Sequence, residues 1–391
     1  MNYILTDISH IKTSLLPLTY FRPVGEIRCG ILTIKEKWEK HLKTSISHLT
    51  EEYLQEKFPV RYQKDNIYIN SALFPDQQLI ASIEQLQPGE VLVSNHLTLA
   101  FRTGKADWKT TQQFKGKIIE YPYKIDGVLN IYEIFLKNGE QILLDFSLIT
   151  KERKSFPVST TNTVIGDFPI FIEEGVKMEA CIINTESGPV YLGKNSVILE
   201  GSLIRGPFAS LEHSVVKMGA KIYGGTTIGP YTKVGGEIKD TVFFGYANKA
   251  HDGYLGDSVI SEWCNLGAGT NNSNLKNNYS TVKLWNYLSR DFEDTGLQFC
   301  GLIMGDHSKC GIATMFNTGT VVGVSSNIFG GNYQPKFFPS FKWGGQKQTD
   351  YFYDKAVEVA KTVYKRRQKH FDKKEEDLFK SVYELTKKEI I

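Results

Sequence analysis

Residues 192–239, cut every six positions, read LGKNSV-ILEGSL-IRGPFA-SLEHSV-VKMGAK-IYGGTT-IGPYTK-VGGEIK. The first position is aliphatic in seven of these eight hexads: Leu192, Ile198, Ile204, Val216, Ile222, Ile228 and Val234. The fifth is small or β-branched in seven: Ser196, Ser202, Ser214, Ala220, Thr226, Thr232 and Ile238. A fixed short period over such a span marks a solenoid, and it is more specific than any single motif. Three six-residue strands can close one triangular coil. The first position then points into the prism and the fifth packs near a corner, while Gly, Asn or Pro beside the corners lets the backbone bend. Each coil covers the next, so an aliphatic stack is buried and strands hydrogen-bond from coil to coil.

The register resumes after interruptions. YLGDSV, ISEWCN and LGAGTN restart it at Tyr254, Ile260 and Leu266, and IMGDHS, KCGIAT, MFNTGT and VVGVSS continue it from Ile303. Repeats therefore run from about 160 to 330, with excursions expected at 239–253 and 271–300. The pattern resembles the left-handed parallel β-helix of the hexapeptide-repeat acyltransferases, and that resemblance implies the handedness. Regular solenoid faces leave little room for chemistry, so functional residues are expected where the rhythm breaks.

One break carries NKAHDGYLGDSV, Asn248 to Val259, in a chain with only 8 histidines. Glu237 and Lys239 precede it at a spacing of two, which puts both side chains on the same side of a strand. Tyr254 follows His251 by three residues, Asn265 opens the NLGAGT run, and Asn274 lies in the polar loop NNSNLKNN. A base, a carboxylate to orient it, a cation for an anionic substrate and several amides thus share one neighbourhood. Taken singly, each has an ordinary structural explanation: a loop histidine is usually solvated or capping, as His213 and His307 are expected to be. An Asn in a Gly-rich turn usually serves the backbone.

Together, GGEIK, NKAHDGYLGD, NLGAGT and the Asn-rich loop resemble the acetyltransferase half of the bifunctional N-acetylglucosamine-1-phosphate uridyltransferase/glucosamine-1-phosphate acetyltransferase family. The resemblance implies that His251 is the general base for the attacking sugar amine. Free imidazole, with a pKa of about 6.5, suits that task near neutral pH. It further implies that Glu237 orients the imidazole and that Lys239 binds the sugar phosphate, while Tyr254, Asn265 and Asn274 position the sugar or the thioester carbonyl. Gly267, Ala268 and Gly269 would admit the pantetheine arm of acetyl-CoA. Two departures stand out. Lys221 occupies the place of a family Arg that binds phosphate, and a point charge lacks the guanidinium fork. Ser280 occupies the place of a family Lys, which leaves Lys283 as the nearest cation.

The N-terminal part reads as mixed α/β. NYILTDI and EVLVSN have strand character, and ILTIKEKWEKHLKTS has helical periodicity with Ile31, Ile34, Trp38 and Leu42 on one side. LLPLTYFRPVGEIRCGILTIKEKW resembles the opening of sugar nucleotidyltransferases downstream of their glycine-rich phosphate loop. The glycines themselves are missing, since Asp7 to Ser14 contains none. Arg22, Glu26, Arg28 and Lys35 are the candidate anion or metal contacts there. Any Mg2+ would belong to this domain's chemistry, and the sequence shows no dedicated metal cage. Beyond the repeats, DYFYDKAVEVAKTVYKRRQKHFDKKEEDLFKSVYELTKK reads as two amphipathic helices. The expected architecture is an α/β domain over residues 1–155, a left-handed parallel β-helix over 156–345 and C-terminal helices over 346–391.

Composition narrows the partners. A net charge of +3 over 391 residues gives no basic patch for nucleic acid, and the basic run at 361–374 reads as a solvated helix face. No apolar run is long enough to cross a bilayer, and the N-terminus lacks signal-peptide order. Five scattered cysteines argue against a disulfide framework or zinc site and suggest a cytoplasmic protein. The leading expectation is an acetyl-CoA-dependent N-acetyltransferase acting on an amino-sugar phosphate, joined to uridylyl transfer from UTP or another nucleoside triphosphate. A homotrimer is expected by resemblance. The alternatives are a sugar-1-phosphate nucleotidyltransferase with a mainly structural β-helix, and a non-catalytic sugar-nucleotide-binding trimer.

Overall fold

The computed structural model describes residues 1–387, and the chain divides into two compact units. The first comprises Met1–Ile27, Leu32–Ile131 and Asp372–Val382; the second comprises Arg28–Ile31, Tyr132–Phe371 and, among the described residues, 383–387.

The first unit is built on six strands: β1 (Asn2–Thr6), β2 (Ser47–Leu49), β3 (Asn66–Asn70), β4 (Glu90–Ser94), β5 (Leu97–Thr103) and β6 (Lys117–Glu120). Their order is β2-β1-β3-β5-β4-β6, with β1 parallel to both neighbours and β5 antiparallel to β3 and β4. The periodicity of ILTIKEKWEKHL is realised as a helix over Ile34–Leu42 that buries Ile34 and Trp38. A reciprocal cap starts it: Thr33 Oγ1 accepts from Glu36 N at 3.2 Å, and Glu36 Oε2 accepts from Thr33 N at 2.7 Å. This satisfies two amides that the first turn leaves without helical partners. Thr33→Ala should therefore lower this unit's stability by about 1 kcal/mol in urea titration.

The second unit is a left-handed parallel β-solenoid with the first of the two C-terminal helices, Tyr353–Arg366; most of the second helix, Lys373–Lys387, belongs to the first unit. Val197 pairs with Val215 and Val215 with Lys233, steps of 18 residues, so three hexads make one coil. All fourteen first- and fifth-position residues named above are buried, the first positions within one continuous apolar core. Each such aliphatic side chain contributes about 1.5–3 kcal/mol when removed from water.

The segment 239–253 departs from expectation, because it is no excursion but part of the wall. Strand Glu237–Phe243 crosses a corner through a single left-handed residue, Asp240 (φ 40°). The next corner back, Gly235–Gly236, is two residues long where the corners at 217–220 and 250–253 have four. Lys233 consequently pairs with Asn248 only 15 residues on, and the hexad rhythm is lost without any loop leaving the β-helix. The second interruption is a true insertion. Asn271 pairs with Met315, 44 residues later, and the added length holds the hairpin Lys283–Asn286/Asp291–Asp294.

His213 is exposed as expected, whereas His307 is buried and is not the solvated residue expected. They belong to an aromatic ladder on another corner, where His213, Tyr231, Tyr246, Trp263 and His307 all have left-handed φ (52–63°). The first four stack with centroid spacings of 4.8, 5.0 and 4.3 Å, and His307 lies 6.2 Å from Trp263. One backbone conformation repeated coil after coil superimposes the side chains, so ring stacking is a consequence of the solenoid. Tyr364 of helix Tyr353–Arg366 stacks on Trp263 at 4.0 Å. The basic run after that helix is used in docking: Arg367 donates to Tyr231 O and Asn248 Oδ1, and Lys369 lies over the rings of Tyr231 and Tyr246. All five cysteines are buried free thiols. Among the described residues, no helix is long and apolar enough to cross a membrane.

Candidate active site

Lys221, Glu237 and Tyr254 are register partners on three successive strands of one face of the β-helix, and Lys239 is the partner of Gly256. Ile222, Ile238 and Leu255 between them point into the prism, so the polar side chains face out. Lys239 Nζ lies 3.3 Å from Asp240 Oδ2 and 5.1 Å from the centre of the Phe299 ring. Arg205, Lys221 and Tyr223 share an open groove of about 340 Å3 with Asn184 and the exposed Ile182 and Leu203.

Tyr254 and Asn274 do meet. Asn274 Nδ2 donates to the Tyr254 hydroxyl at 2.8 Å and also to Asp257 Oδ2. Asp257 is buried, and burial pushes its carboxyl above the ordinary carboxylate range against the opposing pull of Asn274 and Lys239. Burial, with the Asp257 carboxylate second, also raises the Tyr254 phenol well above its usual value. The hydroxyl thus stays protonated and, with its oxygen accepting from Asn274, keeps its hydrogen for a ligand. The neighbouring Asn272 bridges the Gly256 peptide, accepting from its N–H at 2.9 Å and donating to its carbonyl at 3.0 Å.

His251 sits at the corner that leads into strand Tyr254–Ile260, and its side chain is exposed. Glu237 N donates to Gly253 O at 3.2 Å, which stacks the His251 turn directly on the Glu237 coil. The fit requires glycine: Gly236 has φ 77°, and a Cβ there would lie 2.9 Å from Asp252 Cα. The four-residue turn bearing His251 therefore overhangs the short Gly235–Gly236 corner. No imidazole–Glu237 hydrogen bond joins the two side chains. On the other side, Gly269 N donates to Asp252 O at 3.0 Å, so Gly267, Ala268 and Gly269 form the same corner one coil further on.

The remaining expected residues lie elsewhere. Asn265 is on a different face, accepting from Asn248 Nδ2 at 3.3 Å. Lys283 is on the hairpin, opposite Asp294. Within the polar loop the nearer amine is Lys276, whose Nζ donates to Thr281 O. Sequence reasoning passed over Asp257, Asp240, Arg205 and Phe299. Asp257 was within reach, as the last letter of YLGD; Phe299 was not, because only the folded insertion returns it to Lys239.

In the first unit, Arg22 is buried and donates to Leu18 O at 2.9 Å, while Arg28, assigned to the second, is buried with a hydrogen bond to Ile31 O. Glu26 pairs with His48 at 2.7 Å and with Lys35 at 3.6 Å. Burial alone would raise its carboxyl, but those partners hold it at about 2. A cleft of about 620 Å3 opens beyond the ends of β1 and β2, lined by Thr50, Glu51, Tyr53, Tyr62, Asp107 and Trp108 among others. Below it, Asp7 accepts from Val24 N, Thr50 Oγ1 and Ser71 Oγ, and Lys12 pairs with Glu51 at 2.7 Å. The end of a parallel sheet where connections run to opposite sides is where α/β folds bind nucleotides. Among the described residues, no three His, Cys, Asp or Glu side chains come together as a metal cage.

Residues 3–154 match the sugar nucleotidyl transferase family. The bifunctional protein GlmU of Wigglesworthia glossinidia brevipalpis is 24% identical over 328 residues, covering 80% of this chain and 59% of its own. That of Methanocaldococcus jannaschii is 37% identical over 87 residues, 22% of this chain and 21% of its own. This chain thus spans less than two thirds of the length of these relatives. Among solved structures, PerB from Caulobacter crescentus in complex with CoA and GDP-perosamine is 7% identical, with 90% and 97% of the two chains covered and a TM-score of 0.12. That superposition is too loose to add to the fold.

Proposed function

We propose that this GlmU-like chain, a sugar-nucleotidyltransferase region followed by a hexapeptide-repeat acyltransferase fold, moves an acetyl group from acetyl-CoA to the amine of an amino-sugar phosphate such as glucosamine-1-phosphate. The observation that carries this reading is the stacking of the His251 turn on the Glu237 coil, beside Lys239, Tyr254 and Asn274 on one face.

In the proposed reaction His251 takes a proton from the sugar amine as its nitrogen attacks the thioester carbonyl. The N–C bond forms, the C–S bond breaks, and the proton is passed on to the departing thiolate. Glu237, one coil away, would orient the imidazole and stabilise its charged form. Lys221 and Lys239 flank the site as cations for the phosphate, and Arg205 supplies, one coil further, the fork that Lys221 lacks. The Tyr254 hydroxyl, kept protonated, would donate to a sugar oxygen or to the thioester carbonyl. The glycine-bearing corner Gly267–Gly269 offers main-chain surface to the pantetheine arm. The exposed Ile182 and Leu203 on the same face support a homotrimer in which the thioester lies between neighbouring β-helices.

The match of residues 3–154 to sugar nucleotidyl transferases and the first unit's cleft beyond β1 and β2 support uridylyl transfer to the acetylated product. Were Mg2+ to take part, Glu51, Glu52 and Asp107 line that cleft as carboxylates for it, and it would offset triphosphate charge there. Two assays test the reading: thiol release from acetyl-CoA with glucosamine-1-phosphate, and pyrophosphate release from UTP with N-acetylglucosamine-1-phosphate. Acceptor-dependent thiol release is expected. Its absence with glucosamine-1-phosphate and with other amino-sugar phosphates would leave the β-helix a scaffold.

A further inference from the structure

One inward face of the prism carries Val216, Val234, Leu266, Cys310 and Ile328 in register, and between Val234 and Leu266 stands Lys249. Its side chain is as buried as its apolar neighbours, at 1% exposure. An ammonium in that position is costly unless it is paired and hydrogen-bonded. Its hydrogen-bond acceptors are not carboxylates but two main-chain carbonyls: Gly235 O at 3.3 Å and His251 O at 2.6 Å. Those carbonyls belong to the two unequal corners that stack at the site, the short one and the one bearing the histidine. A methionine would fill the same space without charge. What the lysine adds over methionine is the bond to those two corners.

We propose that Lys249 is a positioning residue: from inside the prism its ammonium ties the His251 main chain to the Gly235 corner and so fixes the imidazole over Glu237. The kinetic part rests on His251 being the base; the tie itself does not. Lys249 touches no substrate, because the backbone of both corners lies between it and the face. The tie explains why a four-residue turn overhanging a two-residue corner can hold one conformation.

The test is Lys249→Met in the full-length chain, with Lys249→Leu beside it. Three things are measured: amide hydrogen exchange at 250–253, steady-state kinetics with acetyl-CoA and glucosamine-1-phosphate, and the thermal midpoint. The expected result is exchange at least ten-fold faster in that turn and unchanged at 266–270, with kcat down at least ten-fold and both KM values within two-fold. At neutral pH the midpoint should hold or rise, because methionine leaves no buried charge behind. Unchanged exchange overturns the proposal, as does unchanged kcat in a chain whose wild type is active. If the wild type transfers no acetyl group, the reading of His251 falls, while faster exchange in the turn still upholds the tie. Failure of both variants to fold would make Lys249 a core residue only and would also overturn it.

Discussion

His251→Ala should leave the β-helix folded and reduce acetyl transfer by about 10²–10⁴-fold, the range that a positioned general base contributes. The side chain is exposed and makes no hydrogen bond, so its removal should change stability by no more than about 0.5 kcal/mol. The loss should fall on kcat rather than on KM, because the imidazole is asked to act on the proton that moves in the transition state. Thiol release from acetyl-CoA under saturating acceptor, with a thermal melt of the same preparation, measures both. Turnover near wild type would remove His251 from the chemistry. Glu237 would then be the base left on that face, since neither Tyr254 nor Asn274 is one near neutral pH.

Much of the solenoid was legible because its physics is periodic. An aliphatic residue every six positions can be buried only if the chain returns to the same face each coil, and the 18-residue pairing steps follow from that. What the period could not show is a coil that loses residues at its corners. Asp240 and Gly235–Gly236 shorten one coil to 15 residues, and on the page that reads as the repeat breaking off into a loop. The same shortening creates the unequal corners at which His251 stands. The place where the rhythm seemed to fail was therefore informative, although the failure was of coil length and not of fold. His307 was misjudged for a related reason: its burial depends on Trp263 and Tyr364, residues 44 and 57 positions away in sequence.

Within the site, strand periodicity was enough to place Glu237 and Lys239 together, and folding adds the coil-to-coil partners. Asn265 shows the limit. Its spacing from His251 suggests a neighbour, yet a triangular coil sends it to another face, where it meets Asn248. Asn274 reaches Tyr254 only because the insertion that begins there turns back across the face, and it brings Phe299 to Lys239 by the same route.

Lys249→Met should change the pH dependence of stability by roughly 3 kcal/mol, with a sign that the burial of the ammonium dictates. Burial lowers this pKa to about 8, with the nearby Asp252 and the Cys310 thiol opposing the shift. In an unfolded chain the same group titrates at about 10.4. Between those two values the unfolded state binds more protons, so wild-type stability gains from this group as the pH rises through the window. Below about 8 the lysine is charged in both states and its penalty is complete. Methionine has no such penalty. The variant's stability relative to wild type is thus highest at neutral pH and declines by roughly that amount as the pH approaches 10.5. Titrating groups distant from Lys249 are common to both chains and cancel in the difference. Urea unfolding of both proteins at pH 7, 9 and 10 reads it directly, and a difference that stays flat with pH would mean that Lys249 is not held as a buried ammonium. The solenoid would then be giving up no stability for the tie. A falling difference, with slower turnover in the same variant, would mean that one coil of an otherwise apolar prism is made less stable to keep the catalytic turn in place.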